Sequence, residues 1–221
     1  MKVLRFLLFP FAILYDVVTR IRNFLFEVCV FKQHQFKTSI IVVGNLSVGG
    51  TGKTPQIEYL IRLLKENYKV AVLSRGYKRK TSGFILVDEN NTVADVGDEP
   101  LQYFKKFKNI SVAVDANRVN GIHQLQKNNK PEVILLDDAY QHRKIKPHFS
   151  ILLTKYNDLF VDDYLLPTGN LRESKKGAKR SDAILVTKCP EDLSIEKQHS
   201  IQQKLSKYNK LVFFTSIKYA S

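Results

Sequence analysis

Short apolar runs alternate with stretches of helical periodicity over most of the chain. The run Ile40–Val43 is β-branched throughout, which suits a strand buried on both faces. Strands alternating with helices predict an α/β fold whose mostly parallel sheet is covered by helices on both faces. The other predicted strands are Lys69–Leu73, Ser111–Val114, Glu132–Leu136, Ser150–Leu153, Ala183–Thr187 and Leu211–Thr215, and the clearest helical patterns lie at Ile57–Leu64, Pro100–Phe107 and Arg118–Gln126.

The first residues, Met1–Phe31, predict a helix that is apolar around most of its circumference. Its uninterrupted apolar run, Phe6–Tyr15, is too short to span a bilayer, which takes roughly 18 or more such residues. Two interpretations stay open: an interfacial helix lying in a membrane, and a core helix packed on a domain. We expect residues 1–37 to form a membrane-associating helix and residues 38–221 to form one catalytic domain. The polar residues share one narrow stripe on a helical projection: Lys2, Arg5, Asp16, Arg20, Asn23 and Glu27.

The chain has 221 residues, of which 35 are Lys or Arg and 21 are Asp or Glu, so its formal net charge is +14. Such an excess favours an anionic partner, either a nucleic acid, an anionic membrane surface or a phosphorylated substrate. The sequence contains no helix-turn-helix, zinc-finger or aromatic RNA-binding signature, and we therefore expect no nucleic acid as partner. Cys29 and Cys189 lack C-x-x-C spacing, which indicates neither a disulfide framework nor a zinc site.

A glycine-rich stretch follows the first strand and precedes a helical pattern, where phosphate-binding loops lie in nucleotide-binding proteins. Its glycines let the backbone N–H groups turn inward around phosphate oxygens, the Lys53 ammonium adds positive charge, and the Thr54 hydroxyl can ligate Mg²⁺. The usual pattern G-x-x-x-x-G-K-[ST] would have a glycine at position 47, where this chain has serine. The predicted nucleotide-binding residues are Ser47, Val48, Gly49, Gly50, Thr51, Gly52, Lys53 and Thr54.

Acidic residues follow one predicted strand and begin one predicted helix. Asp137 and Asp138 come directly after an apolar run, and beside a phosphate loop such acids bind Mg²⁺ directly or through water; a simple turn is the alternative. Asp98 and Glu99 could cap the helix, or one of their carboxylates could accept the hydroxyl proton of a phosphoryl acceptor. The residues alone favour neither interpretation.

In their order along the chain, these motifs resemble the tetraacyldisaccharide 4'-kinase family, the lipid A 4'-kinases. The matching stretches run from about residue 42 to 188 and read VGNLSVGGTGKTP, SRGYKRK, GDEP, DDAYQHRKI, LLPTGNLRES and RSDAILVTK. The resemblance implies a P-loop NTPase-like fold. It also implies ATP and Mg²⁺ as cofactors, and transfer of the γ-phosphate to the 4'-hydroxyl of a tetraacylated glucosamine disaccharide 1-phosphate, which gives lipid IV-A.

The resemblance also implies roles for individual residues. Lys53 would hold the β- and γ-phosphates and act in catalysis, and Asp98 would be the catalytic carboxylate. The metal would be held by Thr54, Glu99, Asp137 and Asp138. The substrate cleft would be lined by Arg75, Arg118, His142, Arg172 and Glu173.

The resemblance further implies the cytoplasmic face of the bacterial inner membrane, where the N-terminal helix would associate with the anionic surface. Family members continue past the equivalent of Ser221 into a smaller second domain, and we expect most of that domain to be absent from this sequence.

Three other classes of protein share parts of these patterns. A partitioning-type ATPase would have its signature lysine where this chain has Val48, and a regulatory GTPase would have an acid where this chain has Pro190. A basic nucleic-acid-binding module with a structural phosphate loop is the alternative outside the enzymes. Retention on DNA that depends on salt, without lipid partitioning, would favour that last class.

Overall fold

Each predicted strand is present in the computed structural model, which describes residues 5–209 and 211–217. The predicted bounds agree with the observed ones to within two residues at each end. The structure adds a two-residue strand, β3, that the apolar pattern did not predict. The strands are β1 (Ser39–Asn45), β2 (Val70–Ser74), β3 (Ile85–Leu86), β4 (Ser111–Val114), β5 (Val133–Asp137), β6 (Phe149–Lys155), β7 (Ala183–Thr187) and β8 (Val212–Phe214).

The three helices with the clearest apolar periodicity are confirmed, as is the N-terminal helix from Phe9 to Glu27. The first residues of the predicted N-terminal helix, Met1–Leu4, lie outside the described residues. The α-helices are α1 (Phe9–Glu27), α2 (Lys53–Leu64), α3 (Val93–Val96), α4 (Asp98–Lys106), α5 (Arg118–Asn128) and α6 (Ile195–Ser206).

The basic segment 172–180 reads RESKKGAKR, and its dense charge predicts a loop, which is wrong for its second half. Lys175–Arg180 forms a 3₁₀ helix, and the Ser174 hydroxyl caps it by accepting a hydrogen bond from the Lys176 N–H. Gly177 and Ala178 are buried, so packing of these small residues stabilises helical turns in a segment whose charges alone indicated a loop.

The described chain divides into two compact units. One unit comprises Gln33–Val43 and Lys53–Phe149, and the other comprises the chain up to Lys32, Gly44–Gly52 and the chain from Ser150 onward. The predicted division at residue 37 into a membrane-associating helix and a catalytic domain stays a prediction.

In the unit that contains Lys53–Phe149, the strand order is β3-β4-β2-β5-β1. β1 pairs with β5, β5 with β2 and β2 with β4 in parallel, while β3 pairs antiparallel with β4. All residues of β2 and β5 are buried, as expected for central strands of a parallel sheet. The carboxyl ends of these strands therefore lie at one edge, where folds of this class bind ligands.

In the other unit, β6, β7 and β8 pair in parallel. Helix α1 belongs to this unit, and most of its large apolar side chains are exposed; Phe11, Leu14 and Phe24, for example, are about 60% exposed. Its buried or half-buried residues include Ala12, Tyr15, Asn23 and Phe26. Among the described residues, no helix is both long enough and apolar enough to cross a membrane.

Gly121 allows helix α5 to approach strand β2 closely. A Cβ atom at this position would lie 2.8 Å and 2.9 Å from the two methyl carbons of Leu73, which is fully buried. We expect Gly121→Ala to lower the free energy of unfolding by about 1–3 kcal/mol, because the overpacking outweighs the better helix propensity of alanine. Urea denaturation measures the change, and Lys127→Ala on the exposed face of the same helix is the control. Unchanged or increased stability of Gly121→Ala would contradict this packing.

Candidate active site

The first half of the phosphate loop is held by hydrogen bonds to its own backbone and to the segment 170–172. The Asn45 side chain donates to the Ser47 carbonyl at 2.6 Å, and the Val48 N–H donates to the Asn170 carbonyl at 2.8 Å. The Arg172 N–H donates to the Leu46 carbonyl at 2.7 Å. These bonds satisfy backbone groups of the residues that precede the glycines. The conformation of the rest of the loop then depends on the glycines themselves.

The glycines of the loop have conformations and surroundings that suit a phosphate cradle. Gly49 and Gly52 have φ angles of +100° and +85°, which side-chain-bearing residues rarely adopt. A Cβ atom at Gly50 would meet no atom within 4 Å, so the backbone there faces open space. The Thr187 hydroxyl donates to the Thr51 carbonyl at 2.7 Å and anchors the far side of the loop. The loop thus presents its backbone to a space that a phosphate can enter.

Lys53 and Thr54, the next residues of the chain, begin helix α2. The Lys53 ammonium lies 3.7 Å from the Asp138 carboxylate, and the Thr54 hydroxyl donates to the Glu99 carboxylate at 2.6 Å. Two of the predicted nucleotide-binding residues therefore contact two of the predicted metal-binding acids. The structure joins three separate sequence motifs at the beginning of α2.

Asp137 is the last residue of β5 and is 1% exposed. Its Oδ2 atom accepts hydrogen bonds from the Ser74 and Tyr103 hydroxyls at 3.5 Å and 3.3 Å, whereas Oδ1 has no partner among the described residues. Burial, together with the nearby charge of Glu99 and Asp138, raises the pKa of Asp137 to about 7. A nearby cation would stabilise the ionised form.

Asp98 and Glu99 occupy the first turn of α4, after Gly97 with a φ of +91°. Helix N-termini favour negative charge, and the Glu99 N–H donates to the Asp98 carboxylate at 2.9 Å. Glu99 faces Thr54, whereas Asp98 is exposed. Consecutive residues of one turn therefore present carboxylates in two different directions.

The residues present fit a magnesium ion. The described part of the chain has no group of three His, Cys, Asp or Glu side chains arranged to hold a metal by themselves. Magnesium at phosphoryl-transfer sites is usually bound by only one or two carboxylates, with phosphate oxygens and water completing the octahedron. The unpartnered Oδ1 of Asp137 and the Thr54 hydroxyl are oxygen donors of the kind that such an ion prefers.

Comparison with known proteins identifies the family. The sequence profile described as tetraacyldisaccharide-1-P 4'-kinase matches residues 4–217. The chain belongs to this family. It is 61% identical to the tetraacyldisaccharide 4'-kinase of Flavobacterium johnsoniae over 221 residues, which cover 99% of this chain and 65% of that protein. The same-named protein of Bacteroides thetaiotaomicron is 48% identical, with 97% of this chain and 57% of that protein covered.

A solved structure of the family has the same fold. The crystal structure of LpxK from Aquifex aeolicus in complex with ATP superposes with a TM-score of 0.78 and 32% identity, covering 97% of this chain and 82% of that one. The predicted P-loop NTPase-like fold is thereby confirmed. The chain spans about 65% of the length of the relative from Flavobacterium johnsoniae.

Among the residues that the family resemblance assigns to the substrate cleft, Arg118 is buried, and its charge lowers the pKa of Asp137. Its guanidinium donates to the main-chain carbonyls of Asp115 and Asp137. Burial lowers the pKa of Arg118 to about 10, so the side chain stays charged at neutral pH. Arg75 is exposed just after β2, and His142 is half-buried in the turn that follows Asp138. Contact of these three residues with substrate stays a prediction.

The remaining two predicted substrate residues, Arg172 and Glu173, contact helix α1 and the end of β1. The Arg172 guanidinium donates to the Asn45 side chain, and its carbonyl accepts from the Tyr15 hydroxyl at 2.7 Å. Glu173 is buried and accepts from Asn23 at 2.9 Å and from Arg180 at 2.9 Å and 3.0 Å. These contacts attach α1 to its unit, and the substrate-binding role of both residues stays a prediction.

Two residues outside the sequence motifs each lie beside a predicted site residue of their own unit. Tyr103 donates to Asp137, and its position four residues after Glu99 on one helix was the signal that could have found it. Lys155, the last residue of β6, has its ammonium 3.9 Å from where a Cβ of Gly49 would be. A basic residue at a strand end was the only signal for Lys155, and it is a weak one.

The raised pKa of Asp137 predicts how stability changes with pH in metal-free protein. Since the native state binds this proton more tightly than the unfolded chain, stability decreases as pH rises from the ordinary carboxyl range through about 7. Asp137→Asn removes this ionisation, so its stability relative to the wild type should increase by roughly 2 kcal/mol between pH 5 and pH 8. Urea denaturation in EDTA measures the difference. Glu89→Gln, an exposed control, should show no such trend. A pH profile of Asp137→Asn that runs parallel to that of the wild type would disprove the raised pKa of Asp137.

Proposed function

We propose that the chain transfers the γ-phosphate of ATP to the 4'-hydroxyl of a tetraacylated glucosamine disaccharide 1-phosphate and so forms lipid IV-A. The observation that carries this proposal is the direct contact of phosphate-loop residues with two acids, Lys53 with Asp138 and Thr54 with Glu99. A phosphoryl transferase requires this combination, since it must neutralise the moving phosphoryl group and position it. The names of the family relatives support the acceptor.

Binding of the nucleotide would use the chain's backbone and one lysine. The N–H groups of the loop would bind the phosphates, and the Lys53 ammonium would exchange its contact with Asp138 for one with the β- and γ-phosphates. Thr54, Glu99, Asp137 and Asp138 would hold Mg²⁺, which supplies electrostatic stabilisation of the charge on the transferred group. Positive groups placed close to the transferred phosphoryl group would favour transfer, because they would stabilise the charge that develops on it.

Proton transfer would use the other carboxylate on the first turn of α4. Asp98 is exposed, whereas the Glu99 carboxylate is bound to Thr54, so only Asp98 is open to an incoming acceptor. Its carboxylate would accept the proton of the sugar hydroxyl as the oxygen attacks phosphorus, and the bond to the β-phosphate oxygen breaks as ADP leaves. The exposure of Asp98 supports this division of roles.

The acylated acceptor would be reached at a membrane surface. Helix α1 is held to its unit through Tyr15 and Asn23, while most of its large apolar side chains are exposed. Exposed apolar area of this size on a helix that carries basic residues is typical of an interfacial helix on an anionic membrane. We propose that this surface is the cytoplasmic face of the bacterial inner membrane.

The kinase proposal is tested with radiolabelled ATP and the acylated disaccharide 1-phosphate. We expect a labelled lipid from the wild type and none from Lys53→Ala, which also loses nucleotide affinity. Asp98→Asn should lower kcat by about 10²- to 10⁴-fold and leave nucleotide affinity within about twofold, as for loss of a general base. Lys105→Ala, on the last turn of α4, is the control. Intact nucleotide binding without any labelled lipid would reject the proposed activity.

The membrane proposal is tested with two exposed apolar residues one turn apart on α1. Leu14→Glu combined with Val18→Glu should reduce the bound fraction on phosphatidylglycerol-containing vesicles at least tenfold, because two large apolar side chains each contribute about 1.5–3 kcal/mol when buried. The matched control, Tyr59→Glu with Leu63→Glu, makes the same charge change at exposed positions of α2. Equal sedimentation of the two double variants with vesicles would contradict the role of α1.

A further inference from the structure

Tyr103 lies in the middle of the site, although neither the family motifs nor the acid pairs point to it. It follows Glu99 by four residues on α4, so both side chains lie on the same face of the helix. The Tyr103 side chain is fully buried and is one of the largest side chains without exposure. A phenol placed there needs a partner for its hydroxyl.

The Tyr103 hydroxyl contacts one of the predicted metal-binding residues. It donates to Oδ2 of Asp137 at 3.3 Å. The phenol O–H is therefore the donor in this bond, and the buried carboxylate accepts it.

The two oxygens of the Asp137 carboxylate have unequal surroundings. Oδ2 accepts from Tyr103 and Ser74, whereas Oδ1 has no partner within the described ranges of the chain. A carboxylate fixed through one oxygen presents the other in a defined direction. Removing a donor from Oδ2 would let the group rotate and would weaken its ionised form, because hydrogen bonds to the charged form stabilise it.

We propose that Tyr103 is a positioning residue that orients Asp137 so that Oδ1 faces the magnesium ion accompanying the nucleotide. This inference rests on the proposed function for the metal but not for the lipid acceptor. Groups that fix metal ligands from behind typically change metal affinity by about 10- to 100-fold when removed. A merely space-filling Tyr103 would instead be replaced by phenylalanine without effect on the metal.

The test uses Tyr103→Phe, which keeps the ring and removes only the hydroxyl. Binding of a fluorescent ATP analogue is measured while Mg²⁺ is titrated, and again in EDTA. We expect the half-saturating Mg²⁺ concentration to rise about 10- to 100-fold, with analogue affinity in EDTA unchanged within about twofold. Tyr59→Phe removes an exposed phenol hydroxyl from α2 and should match the wild type in both measurements.

An unchanged half-saturating Mg²⁺ concentration, or an equal loss of analogue affinity with and without Mg²⁺, would overturn the inference. Should Tyr103→Phe fail to fold, Ser74→Ala removes the other donor to Oδ2, and a rise of about threefold is expected because that bond is longer. For Ser74→Ala as well, an unchanged half-saturating Mg²⁺ concentration or an equal loss of analogue affinity with and without Mg²⁺ would overturn the inference.

The assay contains no acylated disaccharide, so it stays informative even if no lipid is phosphorylated. Failure of the proposed nucleotide site has a separate readout. In that case Lys53→Ala would bind the analogue in the presence of Mg²⁺ with the same affinity as the wild type.

Discussion

The burial of a carboxylate at the end of β5 is the constraint on which the site depends. Asp137 is almost inaccessible, lies near Glu99 and Asp138, and has one oxygen without a partner in the described chain. An ionised group in such surroundings costs free energy until a cation arrives. Arg118 and Lys53 offset part of that cost, since both lower the pKa of Asp137. The structure thus holds a buried acid with a raised pKa, whose ionised form a cation would stabilise; acids with shifted pKa values are common at functional sites.

An ordinary amphipathic helix packs its apolar face against its domain, whereas helix α1 exposes most of its large apolar side chains. It attaches to its own unit through Tyr15 and Asn23, with the small Ala12 and the aromatic Phe26 buried beside them. Most of its remaining apolar side chains are exposed, which a helix of a protein core would not permit. The polar stripe recognised in the sequence therefore contributes to the attachment of the helix.

The contacts of α1 end at the segment that also supports the phosphate loop. Arg172 accepts from Tyr15 through its carbonyl and donates through its guanidinium to Asn45, where β1 ends. Glu173 joins Asn23 to Arg180. One short basic segment therefore serves the N-terminal helix and the beginning of the loop together, and Glu173 stabilises it because its buried charge is paired.

The sequence by itself determined every strand except the two-residue β3, together with the glycine-rich loop and the helices with strong apolar periodicity, because these depend on interactions between near neighbours in the chain. It missed α6, in which only Ile201 and Leu205 are buried, and the 3₁₀ helix after Ser174, whose small residues pack against neighbours. Only the tertiary structure decided which acids meet which loop residues. The bonds from Thr54 to Glu99 and from Tyr103 to Asp137 join residues 45 and 34 positions apart. Local preferences cannot specify such pairs, because the packing of α4 against its strands brings them together.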